Sequence, residues 1–274
     1  MPGESAFISL ACVITGVGFL ALLIALIRRQ ETLDRSGQVL TVVASLAMLG
    51  SVIARGLATG HWPMATTYEF ALAFACSTLL AALLLARRLG SGRGLVLALM
   101  MALLIEIYAL LGVPDGDKIA RPLLPALQTI WFEMHTFTAA LAYGAGAATG
   151  GLGLMRILSH LGLWQDSLPE AERQDEVIES GVGFVFLFLS LSIITGAIWA
   201  QKAWGSYWSW DLKETWALIT WFVYLLYFHR RSARHWRGMP LATLTVLGLA
   251  CILFTYLGVG PLARAVGVYS LHAY

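Results

Sequence analysis

Eight apolar runs, at about 6–27, 38–59, 67–86, 94–113, 128–155, 177–201, 216–229 and 239–260, occupy most of the 274 residues. A helix needs about 20 predominantly apolar residues to cross the hydrocarbon layer of a bilayer. Inside that layer every backbone N–H and C=O must be satisfied internally, so spans of this kind are helices. The chain therefore reads as all-α: a polytopic membrane bundle of about eight transmembrane helices, forming one integral-membrane domain over residues 1–274. Charged residues make up 12% of the sequence, against about 25% in an ordinary soluble domain. No internal repeat, low-complexity tract or second domain is evident, and nothing points to nucleic acid.

The turns between the runs set the expected orientation. Arg28, Arg29 and Arg35 follow the first run, and Arg87, Arg88 and Arg93 follow the third. Arg156 and Arg173 follow the fifth, and Arg230, Arg231, Arg234 and Arg237 the seventh. These are twelve of the eighteen lysines and arginines. Basic residues concentrate on the cytoplasmic side, so both termini are expected outside. The polar stretch 157–176 is expected as a short cytoplasmic helix-turn. The first run lacks a basic leader and a cleavage site and reads as a retained span. Cys12, Cys76 and Cys251 are isolated within apolar runs and read as small buried residues. There is no Cys-x-x-Cys-His, so the chain does not read as a c-type cytochrome.

Residues 204–216, "WGSYWSWDLKETW", stand apart from this pattern. Indole and phenol rings are common where a bilayer meets water, and such a belt accounts for Trp131, Trp199, Trp216 and Trp236. It accounts less well for Trp204, Trp208 and Trp210 on one outward turn. Trp204 and Trp208, four apart, would share a face if that turn were helical. The alternative is a stacking platform for a flat, extended ligand such as a macrocycle. A haem would also need an imidazole on its iron. His135 and His272 are expected on the same outer side as the platform. His229 falls at the inner end of the seventh run, and His160 and His235 fall in inner turns. His61 reads as a hydrogen-bonding turn residue. Asp211, Lys213 and Glu214 either order the turn or meet a ligand's carboxylates. Glu69 and Glu106 lie within spans, where ionisable groups are costly and face the protein interior. Arg55 is placed to meet a carboxylate or the interface. On the residues alone, belt and platform both stand.

The stretch "WGSYWSWDLKETWALITW" resembles the tryptophan-rich WWD signature of haem-handling membrane proteins. It is most similar to the CcsA-type (ResC-type) membrane subunit of the cytochrome c synthase of maturation system II. "TGHWPMATTYE" (59–69), "PALQTIWFEMHTF" (125–137), "LYFHRR" (226–231), "LFTYLGV" (253–259) and "LHAY" (271–274) extend the resemblance over most of the chain. The resemblance implies that His135 and His272 ligate the iron of an external haem b. It implies that His229 ligates an intramembrane haem, and that Trp204, Trp208, Trp210 and Asp211 bind the cofactor. It also implies a CcsB-type subunit, an apocytochrome c with a Cys-x-x-Cys-His segment, and thiol-reducing proteins as partners. Haem would be delivered and attached through thioethers on the outer face of a bacterial cytoplasmic membrane, or of a thylakoid. This chain would be the catalytic subunit of a haem lyase type complex, with no catalytic side chain beyond those that ligate and position haem. Two departures stand out: Leu212 occupies a position where the family commonly has proline, and the tail before His272 is longer than usual. The rival readings are a CcmC-type protein that loads haem without forming thioethers, and a cofactor-free scaffold or transporter.

Overall fold

The computed structural model describes residues 2–233 and 236–267, which are helical with no strand among them. The order is α1 (Pro2–Arg28), α2 (Glu31–Thr59), α3 (Thr67–Leu89), α4 (Val96–Ile107), α5 (Asp115–Lys118), α6 (Ile130–His160), α7 (Ala171–Trp204), α8 (Leu212–Ala233), α9 (Met239–Leu253) and α10 (Val259–Val266). Two π-helical turns, Tyr108–Gly112 and Phe254–Gly258, prolong α4 and join α9 to α10.

Six segments are long and apolar enough to cross a membrane: Ala6–Arg28, Glu31–Thr59, Thr67–Leu89, Arg93–Gly112, Ala171–Trp204 and Met239–Val266. Two expected spans, those of α6 and α8, fall outside this set. Helix α6 is diluted by the run "YGAGAATGGLG", and α8 carries charges at both ends of a Trp- and Tyr-rich stretch. Both are nonetheless long helices of the bundle. Several helices also overrun the apolar windows. Helix α7 starts at Ala171 rather than 177, so the turn expected over 157–176 contracts to 161–170, with a short 3-10 turn at Gln165–Ser167.

The small residues of α6 explain its central place. Small side chains let helix backbones approach closely where lipid offers no hydrophobic drive to associate. A Cβ on Gly144 would lie 2.5 Å from the backbone carbon of Ser77 in α3, and one on Gly150 would lie 2.6 Å from Cβ of Leu249 in α9. Helix α6 thus packs against α3, α4, α7 and α9. The outward faces of α1, α2 and α7 keep exposed apolar side chains such as Val13, Leu46 and Leu187.

The turns collect at two ends. At one, Arg29 pairs with Asp166 (2.7 Å), Arg93 with Glu31 (2.8 Å), and Arg173 donates to the carbonyl of Arg88. At the other, His61 approaches the carbonyl of Arg121 (3.2 Å) and Arg55 donates to that of Lys118 (2.7 Å). The 60–66, 113–129 and 205–211 turns lie at this second, motif end. In the interior, Glu106 of α4 is fully buried and accepts a hydrogen bond from the Thr15 hydroxyl of α1 (3.0 Å).

Candidate haem-binding cavity at the motif end

An open cavity indents the motif end, with about 1200 Å³ of empty space including the solvent at its mouth. Its walls come from α3, α6, α7, α8, the turn after α7 and the π-turn before α10.

Helix α6 supplies the histidine wall. Thr129 caps its start, its hydroxyl accepting the N–H of Phe132 (3.2 Å), as N-cap residues do. From there Phe132, His135, Thr136, Ala139 and Tyr143 fall on one helical face and line the cavity. Leu189, Ser192, Ile193, Gly196 and Ala197 do the same from α7.

His135 is held from behind. Its Nδ1 lies 2.8 Å from the carbonyl oxygen of Ser192. A carbonyl can only accept, so Nδ1 donates in this pair, and in the neutral ring the lone pair is then on Nε2. A metal-ligating histidine is oriented in this way by a backbone acceptor on its other nitrogen. The ring stacks on Trp199 at 5.9 Å and 17°, and Trp199 donates its indole N–H to the carbonyl of Ala126 (2.9 Å). Gly196 makes room: a Cβ there would lie 2.6 Å from Nδ1 of His135.

The aromatic stretch divides into three roles. Trp204 is the last residue of α7; it packs inward against Trp199 (5.0 Å) and is not part of the cavity lining. Gly205 then turns the chain in the left-handed region (φ 79°), and residues 206–211 are not helical. The helical face expected to unite Trp204 with Trp208 therefore does not form. Tyr207 and Trp208 line the cavity. Trp210 is 69% exposed and meets Trp208 edge-on at 5.8 Å. It adopts φ 58°, a conformation that is an outlier for a bulky residue and that surrounding contacts must impose.

Asp211 and Glu214 impose it. Asp211 caps α8 by accepting the N–H of Lys213 (2.8 Å). Glu214 reaches back to accept the N–H of Asp211 (3.2 Å) and of Ser209 (2.8 Å). Glu214 thus makes the N3-to-N-cap half of a capping box, while Asp211 caps the N2 amide. The loop-ordering reading of this pair is the one the geometry favours. Lys213 and Glu214 both border the cavity. Burial pushes the Lys213 ammonium, in the first turn of α8, below its ordinary range, with Asp211 opposing the shift. Glu214→Ala should free the loop, releasing two backbone donors at about 1 kcal/mol each. Hydrogen exchange over 206–211 should accelerate while the rest of α8 stays protected.

His229 is exposed on α8 toward the arginine end, away from the cavity. His272 and His235 lie outside the described residues. The ring nitrogens of His61 face the carbonyl oxygens of Trp62 (2.9 Å) and Arg121 (3.2 Å), a turn-bracing role. Sequence reasoning missed several wall residues. Phe70 packs against both Tyr143 and Tyr256, which come from two other segments; Tyr256 lies in the family-like stretch 253–259, but nothing local gave any of the three a wall role. Trp199, expected in the interfacial belt, is instead buried at 1% exposure behind His135. Its spacing, four from Thr195 and five from Trp204 on a helix ending at the motif, was the available signal.

The fold and this end together define an integral multi-pass membrane protein with an aromatic, histidine-bearing cavity. Residues 64–265 match the family described as Cytochrome C assembly protein, and the chain belongs to that family. It is 33% identical over 295 residues to Cytochrome c biogenesis protein CcsA of Parasynechococcus marenigrum (strain WH8102), covering 94% of this chain and 95% of the relative. It is 32% identical over 309 residues to the CcsA of Gloeobacter violaceus, covering 92% and 90%. Its fold matches a solved structure, Cytochrome c Heme Lyase CcmF, with a TM-score of 0.71 at 18% identity, over 96% of this chain and 48% of that one. The chain thus spans about half of that larger protein.

Proposed function

We propose that this chain takes haem b as substrate in the motif-end cavity, ligates its iron through His135, and presents it for covalent attachment to an apocytochrome c. The carrying observation is the orientation of His135: its Nδ1–H is bound to the Ser192 carbonyl, within an open cavity lined by aromatic side chains. Membership in the Cytochrome C assembly family supports the same reading.

The chemistry adds each cysteine S–H across a haem vinyl group. A C–S bond forms, the vinyl double bond becomes single, and the proton ends on the neighbouring carbon. No electrons are gained or lost, and no nucleophile of this chain is required. Its contribution is placement, since holding thiol and vinyl in a near-attack pose lowers the barrier by about 7–11 kcal/mol. Trp208 and Tyr207 would wall one side of the ring, with Trp210 at the rim. Trp204 acts from behind Trp199, and Asp211 acts through the cap of α8. His272 would complete the iron ligation from the tail.

In this reading all eight long helices cross the membrane, with both termini and the 204–216 turn outside. A CcsB-type subunit would cover the α8 face that carries His229 and share a second, intramembrane haem there. Thiol-reducing proteins would keep the apocytochrome cysteines ready.

The test is an absorption titration of the purified chain with haem, beside covalent-haem staining of a c-type cytochrome coexpressed with a CcsB-type subunit. Trp208→Ala should weaken haem binding about tenfold or more through lost stacking, while leaving the ligation spectrum of retained haem unchanged. Free-haem spectra throughout the wild-type titration would return the tryptophans to an interfacial belt.

A further inference from the structure

Arg55 and Glu69 form an ion pair at 3.0 Å with side chains only 2% and 1% exposed. Arg55 belongs to α2, upstream of the residues that match the family. Replacing a buried pair by apolar residues of similar volume is often neutral or stabilising. A pair kept at that depth is therefore better explained by the geometry it enforces than by stability.

That geometry leads to the cavity. The second oxygen of Glu69 accepts the backbone N–H of Ala65 (2.9 Å) and of Thr66 (3.3 Å). The Thr66 hydroxyl accepts the N–H of Glu69 in return (3.2 Å). Met64, Ala65, Thr66 and Thr67 form one cavity wall, continued by Phe70 one turn along α3. On its other side, Arg55 donates through its terminal nitrogens to the carbonyls of Lys118 (2.7 Å) and Ile119 (3.4 Å). Its guanidinium also lies over the Tyr68 ring at 5.2 Å. One planar cation thus joins α2, the start of α3 and the 113–121 segment. An ammonium is a point charge on a flexible stem and lacks this fork.

We infer that the Arg55–Glu69 pair is a positioning unit for the cavity, setting the Met64–Phe70 wall against the 113–121 segment. The N-terminal hairpin α1–α2 thereby shapes ligand recognition without contacting the ligand. The inference rests on the reading of this cavity as the haem site.

The test uses the full-length chain, Arg55→Lys, and the double variant Arg55→Met with Glu69→Met. Hydrogen exchange over 64–70 and 113–121 is measured without haem, and haem affinity and spectrum are measured by titration. The double variant removes both charges together and should keep the folded bundle by circular dichroism. Arg55→Lys retains the charge and decides the matter if the double variant does not fold. Both should exchange about tenfold faster in the two segments, as expected for lost acceptors and donors. Both should bind haem about tenfold more weakly, with the spectrum of bound haem unchanged because His135 is untouched. Wild-type exchange and wild-type affinity in a folded variant would overturn the inference, as would faster exchange with unaltered affinity. If the wild-type chain itself takes up no haem, the functional reading fails, and the exchange measurements still decide whether the pair holds the wall.

Discussion

His135→Ala should abolish covalent attachment of haem to a coexpressed apocytochrome and change the absorption spectrum of whatever haem the purified protein retains. The imidazole occupies a cavity wall, and its tautomer is set by the Ser192 carbonyl 2.8 Å from Nδ1. On the proposed reading, removing it deletes an iron ligand and leaves the aromatic walls in place. Some haem should remain, bound by stacking but differently ligated. Because a misplacement of 1 Å can cost on the order of 100-fold in rate, attachment should fall at least that far. Added imidazole should restore it in part. Gly196→Ala separates position from chemistry. Its Cβ would come within 2.6 Å of Nδ1 and 2.8 Å of Cε1 of His135, so the ring must move although it is still an imidazole. That variant should lose attachment without rescue by added imidazole. A His135→Ala protein with wild-type spectrum and wild-type maturation would remove this residue from the site.

The largest effect on stability is expected at Gly144. A Cβ there would lie 2.3 Å from the Ser77 side chain, 2.5 Å from its backbone carbon and 2.6 Å from the Thr78 nitrogen. Backbone atoms cannot rotate away as a side chain can, so Gly144→Leu must push α3 from α6. Overpacking of a tight interior costs about 1–3 kcal/mol and sometimes more; with backbone on one side, the upper end is expected. The same two helices carry Phe70 and His135, so haem affinity should fall along with thermal stability in detergent. Gly183→Ala is the control: no atom lies within 4 Å of a Cβ at that position of α7, and alanine favours a helix over glycine by roughly 0.5–1 kcal/mol. That variant should melt at or slightly above the wild-type temperature. If Gly144→Leu melts with it, the close α3–α6 contact is not a feature of the folded protein.

The long apolar runs and the periodic arginines were enough to read a helical membrane bundle, because lipid admits so few backbone solutions that composition and length decide among them. The capping of α8 by Asp211 and Glu214 was likewise written locally, since both partners lie within one turn of α8. So was the start of α6 at Thr129, from which the helical period places His135 on a chosen face. What the sequence left open was which residues meet across the bundle. Trp199, spaced like an interfacial anchor, lies behind His135 because α6 and α7 pack in one register. Trp204, grouped with Trp208 in sequence, is separated from it because Gly205 ends the helix between them. Phe70, Tyr143 and Tyr256 become one wall although 73 residues separate the first two and 113 the last two. Arg55 finds Glu69 and the Lys118 carbonyl only when three segments converge at one end. Periodicity and caps are properties of neighbours along the chain; a cavity is a property of helix register and crossing, which depend on every side chain packed between them and which only the tertiary structure decides.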